Sequence, residues 1–219
     1  FALLGAIAAE TTRIGLGSLV ARATLRPPAT LAHGFDTVAR IAGVDRVVAT
    51  IGAGDSHSEA ENESYGLPFG TMSDRVNALR DAVVTTRDRG YPVWVGGDAG
   101  AVRALAGFHA DGWNFWGSDR ERFRAHAADV RALADRAPFV ISWGGLVVLA
   151  ADDDAAEEKA RRLGAAPDVV VGGPARVAAE LDAYADAGAE WVIVGPVDSS
   201  DPANATLLGE AVAPLLRRR

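Results

Sequence analysis

The chain has 219 residues, of which 49% are hydrophobic and 23% charged, a composition that can bury a sizeable core and predicts a single domain. Its net charge of -7 argues against binding to nucleic acid, because an acidic surface repels the phosphate backbone. The absence of cysteine excludes disulfides and cysteine nucleophiles, and no apolar run approaches the ~20 residues of a membrane span, so the sequence predicts a cytoplasmic protein. The closing Arg217–Arg219 are predicted to be a solvated chain end.

The first residues, Phe1 to Glu10, have the spacing of an amphipathic helix already under way, so we expect the natural chain to begin before Phe1. After them, short β-branched runs alternate with alanine-rich stretches, which is the pattern of parallel strands joined by crossover helices. The predicted strands are Arg13–Val20, Arg46–Ile51, Pro92–Val95, Gly112–Phe115, Phe139–Leu149 and Trp191–Val194. The predicted helices are Pro28–Ile41, Ser73–Asp88, Ala101–Ala110, Glu121–Arg136, Asp152–Leu163 and Pro174–Ala187.

This alternation fits two architectures, a doubly wound open sheet and a closed barrel. A barrel of eight units takes ~250 residues, which the predicted units and a missing start approach. We therefore predict an α/β fold of the (β/α)8 TIM barrel type. It would be a single domain over residues 1–219 whose first strands are absent.

Two of the predicted strand ends are rich in glycine, and the carboxyl ends of strands are where a barrel carries its function. One strand runs into Gly52-Ala53-Gly54-Asp55, and another runs into Gly96-Gly97-Asp98 directly before a helix. Glycine lets backbone N–H groups approach an anion, and a helix N-terminus adds partial positive charge, so both loops are candidates for binding a phosphate. Asp98 has two interpretations, as the N-cap of the following helix or as an acceptor for a ligand hydroxyl.

The histidines, the lysine and the aromatic residues limit the kinds of site that the sequence allows. No metal site is predicted, because the histidines at positions 33, 57, 109 and 126 show no ligand spacing. The only lysine, Lys159, lies in a predicted helix, which argues against a Schiff-base enzyme. Large aromatic residues cluster at predicted strand ends, where they would form either an apolar pocket or core, and Trp116 and Trp143 are the preferred candidates for a substrate pocket.

Several motifs resemble those of the luciferase-like monooxygenase family, in the same order along nearly the whole chain. The matching segments are Arg13–Val20, Leu25–Leu31, Asp45–Gly54, Glu63–Phe69, Arg75–Ala82, Pro92–Gly97, Ala110–Asn114 and Ala183–Pro196. The pairing of Pro92-Val-Trp-Val-Gly-Gly97 with Ala110-Asp-Gly-Trp-Asn114 is similar to the most recognisable feature of the family. A set of motifs in one order is far more specific than a single glycine loop.

The resemblance implies a barrel that binds flavin mononucleotide (FMN) or the 8-hydroxy-5-deazaflavin coenzyme F420, and that acts as a homodimer on a small organic substrate. It also implies a set of cofactor-binding residues at three strand ends. These are Leu19, Val20 and Arg22 along the ring, where family members often have a cis peptide; Gly52, Ala53, Gly54, Asp55 and Ser58 along another part of the cofactor; and Gly96, Gly97 and Asp98 at its phosphate, through backbone N–H groups.

The chain departs from the family pattern at two places. Nothing before Phe1 corresponds to the first two strands, and between Gly90 and Tyr91 the chain passes almost directly from helix to strand where relatives carry a longer segment. We expect residues to be absent at both places, since a barrel lacking two strands would expose unpaired edges, and the catalytic acid or base is therefore not predicted.

Four functions stay open at this point. The favoured one is coenzyme F420-dependent hydride transfer, and the second is an FMN-dependent monooxygenase, which needs a lid that excludes water. The third is a phosphate-binding barrel isomerase or lyase, and the fourth is a noncatalytic flavin-binding homologue, because fold does not determine function.

Overall fold

The computed structural model describes residues 1–217, so Arg218 and Arg219 of the predicted arginine end lie outside the described residues. The chain divides into two compact units. Unit 1 comprises Phe1–Asn114 and Asp129–Val140, and unit 2 comprises Phe115–Ala128 and the chain from Ile141 onward. Among residues 1–217, no helix has the length and apolar character needed to cross a membrane.

Helices and strands alternate along the described chain except at β1–β2 and α3–α4. In order they are α1 (Ala2–Glu10), β1 (Leu16–Gly17), β2 (Ala21–Arg22), α2 (Pro28–Ala42), β3 (Val47–Gly52), α3 (Ser58–Ser64), α4 (Met72–Thr86), β4 (Val93–Gly96), α5 (Gly100–His109), β5 (Gly112–Trp116), α6 (Arg120–Ala132), β6 (Val140–Leu149), α7 (Asp153–Leu163), β7 (Val170–Gly172), α8 (Pro174–Asp186), β8 (Trp191–Pro196) and α9 (Ala203–Thr206). Local sequence signals explain where several of the helices begin. Pro28 and Pro174 occupy the first turns of α2 and α8, and Thr71 forms a capping box with Asp74 at the start of α4.

Unit 1 is built on parallel strands. β1 and β2 both pair with β3, β3 pairs with β4, and β4 pairs with the part of β5 up to Asn114. Ile51 of β3 and Val95 of β4 are fully buried, and Leu31, Phe35 and Leu79 on the flanking helices are also fully buried. Burial of each such side chain stabilises the fold by about 1.5–3 kcal/mol. A parallel sheet covered by helices places the carboxyl ends of β2, β3 and β4 at one edge.

Unit 2 has its own parallel strands and core. β6 pairs with β8 over Ser142–Val147 and with β7 over Val147–Leu149. Trp143 stacks on Tyr184 of α8 with ring centroids 3.9 Å apart, and Phe123 packs edge-on against the same tyrosine. These aromatic contacts fix α8 against β6.

The strands and helices predicted from the sequence are confirmed with one correction. The stretch Arg13–Val20 is not one strand but contributes only Leu16–Gly17, followed by Ala21–Arg22. Between them the Ser18 hydroxyl donates to the Thr50 carbonyl at 2.8 Å, so a side chain takes the place of a backbone ladder bond. Three elements were not predicted, namely α3, β7 and α9, and each is short.

Candidate functional site

The carboxyl ends of β2, β3 and β4 meet in one row of unit 1. Arg22 pairs in register with Gly52, Gly52 with Gly96, and Gly96 with Asn114 of β5. The residues for which the resemblance implied cofactor binding all lie in this row or in the segments directly joined to it. The structure therefore brings together three strand ends that are far apart in the sequence.

The side chain of Val20 lies across this row. A Cβ atom added to Gly52 would lie 2.5 Å from Val20 Cγ2, and one added to Gly96 would lie 2.5 Å from Val20 Cγ1. A side chain at either position would therefore clash with Val20 as it is placed here. Leu19 and Val20 are each 39% exposed, and the peptide bond between them is cis, in the stretch where the resemblance indicated one.

Arg22 is buried and is held by α3. Its Nη2 donates to Glu61 Oε2 at 2.5 Å and its Nη1 donates to the Ser58 carbonyl at 3.1 Å, whereas its Nε has no acceptor among residues 1–217. Its Cδ also lies 2.8 Å from the position of a Cβ on Gly54, whose φ of 81° favours glycine. Because Glu61 neutralises the guanidinium, Arg22 supports the loop after β3 and adds no net positive charge there.

The loop after β3 is closed by hydrogen bonds between Asp55 and Ser58. The backbone N–H and the hydroxyl of Ser58 donate to Asp55 Oδ1 at 3.1 and 2.9 Å. The bond from the Ser58 hydroxyl is the main cause that lowers the pKa of Asp55, so this carboxylate is ionised at neutral pH. An exposed carboxylate accepts hydrogen bonds from hydroxyl groups and repels phosphate.

Gly97, in the loop after β4, is held by two hydrogen bonds. Its N–H donates to the Asn114 carbonyl at 3.2 Å, and its carbonyl accepts from Trp113 Nε1 at 2.8 Å. Its φ of 134° lies in the region that favours glycine. Of the N–H groups of Gly96, Gly97 and Asp98 that the resemblance assigns to the phosphate, that of Gly97 is thus already used by the bond to Asn114. The first turn of α5, directly after them, offers further N–H groups to an anion.

Asp98 does not cap α5, so that interpretation is wrong. The N-cap is Ala99, which makes no side-chain cap bond, and Asp98 instead binds Arg103 through its backbone oxygen at 2.5 Å and its carboxylate at 3.5 Å. The helix begins at Gly100, where an added Cβ would meet no atom within 4 Å. The N-terminus of α5 is therefore open, with N–H groups that have no intrahelical acceptor and a partial positive charge.

Two residues outside the expected set support the same loops. Phe69 Cε2 lies 3.3 Å from the position of a Cβ on Gly54, and the Arg75 guanidinium lies 4.1 Å from the centroid of the Phe69 ring. Arg75 is buried, and its Nη1 donates to the Gly70 carbonyl at 3.0 Å. The sequence signal was the segment Glu63–Phe69, which the resemblance identified without giving it a role.

In unit 2 the two tryptophans of the expected substrate pocket differ in position. Trp143 is 1% exposed, stacks on Tyr184 and donates from Nε1 to the Gly117 carbonyl at 2.7 Å. Trp116 is 48% exposed. Trp143 therefore lies in the core of unit 2, and Trp116 is the member of the pair that offers surface to a ligand.

Lys159 has a structural role in unit 2. Its Nζ donates to the Leu149 carbonyl at 3.0 Å and to Asn204 Oδ1 at 3.2 Å, and it forms an ion pair with Asp198 Oδ2 at 2.8 Å. These three partners hold the Lys159 side chain in place within unit 2. No group of three or more potential metal-binding side chains is found in the part of the chain that the structure describes.

The sequence matches a known family over most of its length. The model of the luciferase-like monooxygenase family matches residues 1–169. A protein of Mycobacterium bovis, described as uncharacterized, is 30% identical over 178 residues, which cover 68% of this chain and 60% of the relative. The chain thus spans about three fifths of the length of the curated relatives that it matches.

Solved structures confirm the predicted fold class. The coenzyme F420-dependent tetrahydromethanopterin reductase of Methanopyrus kandleri superposes with a TM-score of 0.78 at 17% identity, covering 99% of this chain and 87% of that chain. The oxygenating constituent of 3,6-diketocamphane monooxygenase from Pseudomonas putida, in complex with FMN, gives a TM-score of 0.72 at 17% identity, covering 99% of this chain and 83% of that chain. At these identities the likeness concerns the fold, which is the TIM barrel class of these enzymes.

Proposed function

The chain belongs to the luciferase-like monooxygenase family, and we propose that it is an oxidoreductase that binds coenzyme F420 and transfers a hydride to or from a small organic substrate. The similarity in fold to a coenzyme F420-dependent reductase supports this cofactor class. The function itself must be argued from the site, because one fold hosts many chemistries.

The observation that carries the proposal is the exposed N-terminus of α5, which lies beside the row of strand ends formed by Arg22, Gly52, Gly96 and Asn114. Coenzyme F420 and FMN both contain a phosphate group, and free N–H groups at a helix N-terminus form a site for such an anion. Ala99 and Gly100 are exposed, and a Cβ added to Gly100 would meet nothing within 4 Å beyond its chain neighbours and its own helix, so a ligand can reach this turn. The residues of unit 1 therefore fit a cofactor that carries a phosphate.

Each segment of the site would have its own task. The first turn of α5 would bind the phosphate, and Leu19 and Val20 would lie along the ring system. Asp55, whose pKa the Ser58 hydroxyl lowers further below neutral, would accept hydrogen bonds from the hydroxyl groups of the cofactor's ribityl chain. The bound cofactor supplies the redox chemistry, and the protein positions it and shapes the space around it.

An FMN-dependent monooxygenase is the second candidate. The similarity in fold to the Pseudomonas putida monooxygenase in complex with FMN favours it. Both cofactors offer a phosphate, so the α5 site serves either. The two candidates differ in oxygen chemistry, because a monooxygenase consumes dioxygen and a deazaflavin hydride-transfer enzyme does not.

The test is a titration of the purified full-length protein with coenzyme F420 and with FMN, followed by quenching of tryptophan fluorescence. We expect tighter binding of coenzyme F420, and weaker binding of the tail-free deazaflavin chromophore, which lacks the phosphate. Preference for FMN together with dioxygen consumption would favour the monooxygenase. Binding of neither cofactor would contradict the proposal.

A further inference from the structure

Helix α3, which follows the loop after β3, has no apolar face to hold it against the sheet. Its sequence, Ser58–Ser64, contains no large apolar side chain, and the one residue that it buries is Asn62. A helix of two turns is not stable by itself in water, so contacts with the rest of unit 1 must keep it in place. For α3 those contacts are polar.

Asn62 holds the second half of α3. Its Nδ2 donates to the Pro68 carbonyl at 3.0 Å and to Thr24 Oγ1 at 3.5 Å. Both bonds come from one amide group, which lies a full turn after the first residue of the helix, Ser58. The first turn therefore depends on a different contact.

That contact is Arg22, whose guanidinium reaches the first turn twice. Nη1 donates to the Ser58 carbonyl at 3.1 Å, and Nη2 donates to Glu61 Oε2 at 2.5 Å. The donors of a guanidinium lie in a rigid planar fork, so two bonds to one helix fix its direction as well as its distance. Lysine, with a single ammonium group on a flexible stem, would not supply this fork.

The burial of Arg22 distinguishes this contact from an ordinary surface ion pair. A pair between two exposed side chains contributes little, because both must be ordered. Arg22 is only 8% exposed and lies on β2, where it pairs in register with Gly52, whereas Glu61 is 53% exposed. The sheet thus fixes the guanidinium, and α3 is placed relative to it.

Ser58 passes this placement on to Asp55. The N–H and the hydroxyl of Ser58 donate to Asp55 Oδ1 at 3.1 and 2.9 Å, and the N–H of Asp55 donates to Ser58 Oγ at 3.2 Å. A shift of Ser58 would therefore move the exposed carboxylate with it. The contacts run from β2 through Arg22 and Ser58 to Asp55 without a break.

We infer that Arg22 is a positioning residue, which sets the direction of the Asp55 carboxylate through Ser58 and so selects ligands whose ring carries a hydroxylated chain. This inference rests on the proposed function, in which Asp55 accepts hydrogen bonds from the ribityl hydroxyl groups. An acceptor that is fixed before the ligand arrives lowers the entropy cost of binding. Glu61 contributes by holding the guanidinium in its place.

Hydrogen exchange of the full-length protein without cofactor tests the positioning step. The Ser58 amide, which donates to Asp55, should exchange roughly tenfold faster in Arg22→Lys and in Glu61→Ala, because each change removes part of the contact that holds α3. Glu61→Ala is the second variant should Arg22→Lys not fold. Glu59→Ala is the matched control, since Glu59 is also an exposed acidic residue of the first turn of α3. Unchanged exchange in both Arg22→Lys and Glu61→Ala would overturn the inference.

A pair of ligands tests the selection step. One is the 8-hydroxy-5-deazaflavin ring with its ribityl chain, and the other is the same ring with a methyl group in place of that chain; riboflavin and lumiflavin form the corresponding flavin pair. Arg22→Lys and Glu61→Ala should bind the ribityl ligand roughly tenfold more weakly and the methyl ligand nearly as well as the unaltered protein does. Glu59→Ala should retain the preference for the ribityl ligand.

Asp55→Ala shows whether the effect passes through this carboxylate. In a protein that already carries Asp55→Ala, Glu61→Ala should cause no further loss of affinity for the ribityl ligand, because the two residues act on the same contact. Full additivity of the two changes would overturn the inference, and so would an equal loss of affinity for both ligands in Arg22→Lys and Glu61→Ala. If the unaltered protein binds neither pair, the proposed function and the ligand selection both fail. Hydrogen exchange, which needs no ligand, still separates that outcome from a failure of Arg22 to hold Asp55.

Discussion

A carboxylate placed at the N-terminus of α5 should stabilise the fold and weaken cofactor binding at the same time. Gly100 is the position of choice, since an added Cβ meets nothing within 4 Å and the residue has no positive φ. In Gly100→Asp the new negative charge lies in the first turn of the helix. Its interaction with the helix dipole raises the free energy of unfolding by about 0.3–1 kcal/mol, and the loss of glycine from a helix adds to this.

The same charge opposes a bound phosphate. Two unit charges about 5 Å apart repel by roughly 1 kcal/mol in water and by roughly 3 kcal/mol at an effective dielectric constant of 20. The affinity for coenzyme F420 or FMN should therefore fall by about fivefold to 150-fold. The opposite signs of the two effects distinguish this prediction from general damage to the protein.

Two measurements on three proteins test the prediction. Urea unfolding gives the stability, and cofactor titration gives the affinity, for the unaltered protein, Gly100→Asp and Gly100→Asn. Asparagine has nearly the size of aspartate and no charge, so Gly100→Asn should retain cofactor affinity, and high salt should reduce the difference between the two variants. If Gly100→Asp is folded and binds the cofactor as tightly as Gly100→Asn, the phosphate does not lie at α5.

Two further predictions concern the packing of Val20 against the strand ends of unit 1 and the stability of unit 2 at acidic pH. Gly96→Ala should cost about 1–3 kcal/mol of stability, because its Cβ lies 2.5 Å from Val20 Cγ1. In the double variant, Val20→Ala should recover part of the stability lost in Gly96→Ala, because it removes the atom that clashes. If urea unfolding shows that the double variant loses as much stability as the two single variants together, the packing argument is contradicted. Burial raises the pKa of Asp198, but hydrogen bonds from Lys159 and Asn204 lower it more, so that the pKa in the folded protein lies below the unfolded value of 3.8. The resulting stabilisation is present above pH 3.8 and is lost as the pH falls through the lower folded pKa. In urea unfolding between pH 3 and 6, the free energy of unfolding of Asp198→Asn should therefore fall less steeply with falling pH than that of the unaltered protein.

The sequence alone determines the order of elements and the family. Strand and helix periodicity are local properties, so the buried runs that form β3 and β4 and the helices after them can be read from a few neighbouring residues. The succession of motifs along the chain identifies the family, and the glycine-rich strand ends predict where a cofactor would bind. The short elements α3, β7 and α9 were missed because a few residues carry too little of a periodic pattern.

Only the tertiary structure decides what each side chain at these strand ends does. Val20 favours glycine at positions 52 and 96, which lie on other strands. Asn114 accepts a hydrogen bond from the N–H of Gly97, which a local motif offers to a phosphate. Nor does local sequence distinguish Trp116 from Trp143, since both follow the same pattern of an aromatic residue in a strand. Burial, ladder pairing and the direction of a ring depend on residues brought together from distant segments, and those contacts exist only in the folded chain.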